Sequence, residues 1–221
     1  FSRWYRECLP AYQATANLSG KVVEIGSGAG FLEEVIPGLL KTDVVPTPFV
    51  GRVVDAMSLN FNDQELRAIL MIGVLHHVQF PGKFLAEAQR CLEPGGYLVM
   101  VEPANTPLQR ILCRVLDHYE YFDDTIEGWA NDSGDRMTRA NLALPWVIVM
   151  RDRERFRKEF PRLAVRRIRY HTFLSYVLSG GLTYRSFLPA FCRPLIAMIE
   201  YLAKPFMSQL GTMMTIEIQK V

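Results

Sequence analysis

The residues best placed for chemistry stand close together near the start of the chain. Glu24-Ile25-Gly26-Ser27-Gly28-Ala29-Gly30 sets glycines at every second position after a short apolar run, Val22-Val23. Glycines in such a run let the backbone turn sharply and approach a ligand with no Cβ in the way. A helix starting beyond the turn would offer free N–H groups to a polar or anionic ligand. Downstream stand two isolated carboxylates, Asp43 and Asp55, and a histidine pair, His76-His77. Asp43 either serves a ligand or caps the Val-Val-Pro turn that follows it. Asp55 either faces a ligand or faces solvent. The histidines end an apolar run, at the edge where open α/β sheets hold ligands; one is expected to pack and the other to face the cleft.

Spacing separates the cofactor classes. A dinucleotide fingerprint requires Gly-x-Gly-x-x-Gly, but the third position here is Phe31 and the extra glycine is Gly30. No Gly-Lys-Ser/Thr follows, which excludes a Walker loop.

The elements that must position these residues alternate between strand and helix as far as Glu102, the pattern of a parallel sheet with covered faces. Ala68 to Val78 reads as a strand ending in Gly73-Val74-Leu75-His76-His77. Phe84 to Met100 reads as helix, Pro94-Gly95-Gly96 turn and strand. Over residues 20–103 these segments, in order, resemble the class I S-adenosylmethionine-dependent methyltransferases, in particular the type 11 methyltransferase-domain branch. The resemblance implies a Rossmann-like α/β fold. Its sheet would have seven strands, mostly parallel with an antiparallel last strand, and helices on both faces.

It also implies roles for individual residues. Glu24 would help hold the amino acid end of the cofactor, beside Gly26, Ser27, Gly28 and Gly30. Asp43 would accept the ribose hydroxyls, and Asp55-Ala56 would meet the adenine. Gly73, at the end of the fourth strand, completes the set. The chain departs from the family by being shorter between Gly30 and Asp43, and between Asp43 and Asp55. Pro46-Thr47-Pro48 cannot continue a helix, so that connection is expected to be extended and the adenine side more open.

The implied reaction transfers a methyl group from S-adenosylmethionine and leaves S-adenosylhomocysteine. The Asn/Asp-Pro-Pro-Tyr motif of nucleobase and amide N-methyltransferases is absent, which turns the expected acceptor toward a small molecule, a glycan or a lipid-linked compound. A general base is needed only for a nucleophile with a proton of high pKa, and His77 or His118 would then serve. The alternative is a non-catalytic subunit that binds the cofactor or a nucleoside in a regulatory or scaffolding role.

The whole chain is expected to be one domain. An opening helix over about residues 2–16, within 1–19, either closes over the cofactor or packs on the sheet. Residues 20–103 form the cofactor half. Residues 104–150 are read as a lid, with a helix near 107–118 and wall candidates His118, Tyr119, Arg139, Asn141 and Trp146. The remainder, 151–221, holds a helix over 151–160, strands over 164–171 and 213–220, and an apolar insertion over 184–210. Arg193, Glu200, Lys204 and three prolines break that insertion, so it does not read as a span. It either covers the sheet or a dimer face, or meets lipid or a lipid-linked substrate.

Composition narrows the partners. The 221 residues carry 25 basic and 23 acidic side chains, a net charge of +2, which argues against a nucleic-acid face. Cys8, Cys91, Cys113 and Cys192 lack paired spacing, so neither a metal site nor disulfides are expected. A cytoplasmic setting is expected, with peripheral membrane contact left open, as a monomer or homodimer. The start at Phe1 suggests a trimmed N-terminus.

Overall fold

A computed structural model describes residues 2–115, 121–131, 140–179 and 189–221. Seven strands form one sheet: β1 (Lys21–Ile25), β2 (Leu40–Asp43), β3 (Arg52–Val53), β4 (Leu66–Ile72), β5 (Leu92–Pro103), β6 (Leu163–His171) and β7 (Met213–Lys220). Their order is β3-β2-β1-β4-β5-β7-β6. Strand β7 runs antiparallel to both neighbours, with Tyr97 opposite Gln219 and His171 opposite Met213, while the other pairs are parallel. Strands β1 to β6 therefore all end at one edge of the sheet.

Alternation along the strands builds two cores. On one face Val23, Ile25, Ile69, Met71, Leu98 and Ile216 pack with Phe84, Leu85 and Ala88 of helix α3 (Pro81–Cys91). On the other, Val22, Ala68, Leu70, Val99 and Val101 meet Trp4, Cys8 and Ala11 from the opening helices. Strand β4, at the centre, is apolar almost throughout because both of its faces are covered.

Several local expectations are corrected. The opening segment is two short helices, α1 (Ser2–Glu7) and α2 (Leu9–Ala14), broken at Cys8. Pro10 sits in the first turn of α2, where its ring would clash with the preceding turn of a continuous helix. Both helices pack on the sheet. The glycine turn leads into a four-residue 3-10 turn, Phe31–Glu34, rather than an α-helix, and Pro37-Gly38 then blocks any extension. The expected anion-binding helix start is thus missing. No helix separates β2 from β3, as the prolines predict.

Helix α4 (Pro107–Val115) covers the described part of the helix expected over 107–118. The segment read as a lid ends inside the core. Ala143, Leu144, Val147 and Ile148 are fully buried. They lie on a helical run made of α5 (Leu144–Trp146), a π turn (Val147–Arg151) and α6 (Arg153–Glu159). The helix expected to begin at 151 is the solvated end of this run. Its buried start lacks charges to mark it in the sequence.

Candidate functional site

The strand ends converge on one cavity of about 310 Å³ at the carboxyl edge. Ile25 and Gly26 bring the end of β1 to it, Asp43 the end of β2, Asp55 and Ala56 the segment after β3, and Gly73 and His77 the segment after β4. Apolar walls come from Val45, Met57 and Val78. This is the edge at which open parallel sheets bind ligands.

The glycine turn is specific in its demands. Gly26 has φ +71° and a Cβ there would stand 2.5 Å from Val74 Cγ2, so no other residue fits without displacing the β4 turn. At Gly28, φ is +51° and the space beyond it is open. The Gly28 N–H donates to Asp43 Oδ2 at 2.9 Å, and the Val45 N–H donates to Asp43 Oδ1 at 3.0 Å. Asp43 therefore ties the turn to the tip of β2, with a fixed carboxylate on the cavity wall. Asp55 Oδ1 accepts the Met57 N–H at 2.9 Å, which holds the second carboxylate in place.

Glu24, Ser27, Gly28 and Gly30 stand beside this cavity rather than in its lining. Glu24 shares a face of β1 with Val22, toward Tyr5 and Cys8. Its Oε2 and the Ser27 Oγ are buried with no hydrogen-bond partner. Burial pushes the Glu24 carboxyl up to about 8; Asp43 adds to the rise and Lys41 opposes it. An unpaired carboxyl and hydroxyl behind a glycine turn suit a ligand that brings its own donors. A Cβ at Gly30 would meet Lys41 Cδ at 2.7 Å; this glycine makes room for a neighbouring side chain.

The histidine pair divides as expected. His77 lines the cavity. His76 is buried, and its Nδ1 shares a 2.6 Å hydrogen bond with Glu102 Oε2. The two rings lie 4.2 Å apart, centroid to centroid. Sequence reasoning missed Glu102, which has no exposed surface. Its Oε1 accepts the Val74 and Leu75 N–H groups at 3.0 and 2.7 Å, fixing the turn that carries Gly73 and His77. An acid at the end of an otherwise apolar strand, matching Glu24 on β1, was the available signal.

The expected substrate wall is not assembled by the residues described. Asn141 is fully buried. Its Oδ1 accepts the Asp123 and Ala143 N–H groups and its Nδ2 donates to the Asp123 carbonyl. The side chain is used up in holding a loop. Trp146 is half-buried against the core and hydrogen-bonds to Tyr170, away from the cavity lining. His118, Tyr119 and Arg139 lie outside the described residues.

Comparison with known proteins bears on the fold. Residues 23–100 match the family described as methyltransferase domain. No curated protein matches the sequence. Among solved structures, the chain is similar to geranyl diphosphate C-methyltransferase from Streptomyces coelicolor A3(2), crystallised with Mg2+, geranyl diphosphate and S-adenosyl-L-homocysteine. The TM-score is 0.55 at 14% identity, over 97% of this chain and 79% of that one. It is also similar to a S-adenosylmethionine-dependent methyltransferase from Archaeoglobus fulgidus, with TM-score 0.56 at 14% identity over 98% and 92% of the two chains. A protein of Thermotoga maritima described as a possible histamine N-methyltransferase gives 0.50 at 19% identity, over 100% and 94%. At these identities the likeness is one of fold. Residues 23–100 match the methyltransferase-domain model, and the chain has the fold of the class I S-adenosylmethionine-dependent methyltransferases.

Proposed function

We propose that the cavity at the carboxyl edge binds S-adenosylmethionine, and that the chain transfers its methyl group to a small-molecule, glycan or lipid-linked acceptor. The observation that carries this reading is the meeting of Gly26, Asp43, Asp55 and Gly73, from four separate strand ends, on one cavity. Asp43 and Asp55 would hold the ribose and adenine ends. Glu24 and Ser27, whose buried oxygens lack partners, would take the donors of the amino acid end.

When bound, the cofactor supplies a methyl group already activated by its sulfonium. The chain must therefore align a nucleophile and exclude water, and alignment of this kind contributes about 7–11 kcal/mol. Val45, Met57 and Val78 give the cavity a largely apolar wall. His77 faces it as the candidate base, held by the turn that Glu102 fixes. With a hydroxyl acceptor His77 would remove the proton; with an amine acceptor already neutral it would not be needed.

Calorimetric titration with S-adenosylmethionine, with NAD as the control, tests the binding step. Transfer of labelled methyl into pools of candidate acceptors tests the reaction. Affinity for NAD alone would refute the reading. Tight S-adenosylmethionine binding with no transfer to any acceptor would favour a binding subunit instead.

A further inference from the structure

Helix α8 (Arg193–Leu202) presents an unusual outer face. Leu195, Met198, Tyr201 and Leu202 are exposed on it, and Phe191 before it and Phe206 after it are 81% and 60% exposed. Between 189 and 210 the sequence holds a single acid, Glu200, and that acid points inward. Glu200 Oε1 accepts the Phe173 N–H and the Ser175 N–H, each at 2.9 Å, and the Ser175 hydroxyl at 2.7 Å. It is consumed in capping helix α7 (Leu174–Ser179). Lys204 stays outward, its Nζ 4.5 Å from the centroid of the Tyr201 ring. The face is thus apolar, aromatic and basic, with no outward carboxylate.

Topology sets where this face lies. Strand β6 ends at the carboxyl edge and β7 begins there, so α7, α8 and α9 (Met207–Leu210) form an excursion from that edge, closed by the Thr212 N–H donating to the Thr172 carbonyl at 2.7 Å. Helix α4 leaves β5 at the same edge and packs on α9. It too exposes apolar and basic side chains, Ile111, Val115 and Arg114, and its sequence contains no acid. Two apolar and basic helix faces, on α8 and α4, therefore stand along the carboxyl edge of the sheet, the edge at which the cavity also lies.

We infer that these two faces seat on the surface of an anionic lipid bilayer, which brings the cavity to an acceptor carried in that bilayer. Exposed apolar and aromatic side chains beside cations suit the interfacial region of such a membrane. A second copy fits less well, because a two-fold contact would bring this basic face against itself. No helix among the described residues is long and apolar enough to cross a membrane, so the contact is one of lying on the surface. The choice of acceptor rests on the proposed function; the lipid contact does not.

The test is co-sedimentation of the full chain with phosphatidylcholine vesicles, with and without phosphatidylglycerol, at low and high salt. S-adenosylmethionine calorimetry runs in parallel. The expected result is partition about tenfold stronger onto the anionic vesicles, weakened by salt. Leu195→Glu with Leu202→Glu should reduce it at least about tenfold, and Lys204→Glu alone should remove most of the preference for phosphatidylglycerol. Cofactor affinity and thermal midpoint should hold in both variants. Partition that ignores phosphatidylglycerol, or that survives the substitutions, overturns the inference. So does a dimer in sedimentation velocity that the same substitutions dissolve. Failure to bind vesicles with cofactor binding intact sinks this inference alone, whereas failure to bind the cofactor sinks the proposed function and leaves the vesicle result standing.

Discussion

Glu24 makes a quantitative prediction. Its carboxyl sits at about 8 instead of 4.5 because burial penalises the charged form. In the unfolded chain the group ionises freely above 4.5, while the folded chain must keep it protonated or hold a buried charge. The stability this group allows is thus fully present below about pH 4.5 and is lost as pH rises through about 8. At 1.36 kcal/mol per unit, the penalty is about 3 kcal/mol at pH 7. Binding a ligand whose ammonium meets Glu24 reverses the balance and expels the proton. At pH 7 a group titrating near 8 is about nine-tenths protonated, so binding should release about 0.9 proton. Calorimetry of S-adenosylmethionine binding in phosphate and in Tris reads this directly, since the apparent enthalpy shifts with the buffer's own ionisation. Glu24→Gln should abolish the buffer dependence and weaken binding about 10–100-fold, the worth of a charge-assisted hydrogen bond of about 1.5–3 kcal/mol. Its stability relative to the parent should rise between pH 5 and 8. A buffer-independent enthalpy in the parent protein, or undiminished affinity in the variant, would refute the reasoning.

Further outcomes follow from individual contacts. Gly28→Leu should abolish cofactor binding while circular dichroism stays native, because its side chain would enter open space beside Asp43; retained affinity would discredit the turn as part of the site. Asp43→Asn should weaken binding about 10–100-fold through loss of a charged acceptor, read by the same calorimetry. Glu102→Ala orphans two backbone N–H groups and His76; at about 1–3 kcal/mol each, urea unfolding should show a loss of several kcal/mol. Phe84→Ala, in the core under the sheet, should cost about 3–5 kcal/mol by the same measurement.

What the sequence made legible was what local pattern controls. The β-branched run before Gly26 and the alternation over 213–220 each mark an element that the structure contains. The turn expected at Pro94-Gly95-Gly96 is instead an irregularity inside β5, where pairing with β4 passes from Leu92 to Tyr97. Asp43 and Asp55 were singled out through the resemblance alone, since β2 reads Leu40-Lys41-Thr42-Asp43 and β3 is only Arg52-Val53, neither of them an apolar run. Other features depended on tertiary saturation, which spacing does not record. Asn141 looked like a polar wall residue, yet its amide is consumed by Asp123 and Ala143. Glu102 looked like the end of a strand, yet it organises the turn that carries His77. The basic run at 151–159 suggested a separate solvated helix, because the apolar stretch before it gave no start signal for the π turn that joins them.

The most direct test of the central claim is a crystal structure of the chain with S-adenosylhomocysteine. The account predicts the ribose hydroxyls on Asp43, the adenine beside Asp55 and Ala56, and the amino acid end reaching Glu24 across the glycine turn. A ligand bound elsewhere, or a cavity closed by its own side chains in crystals soaked to saturation, would contradict it.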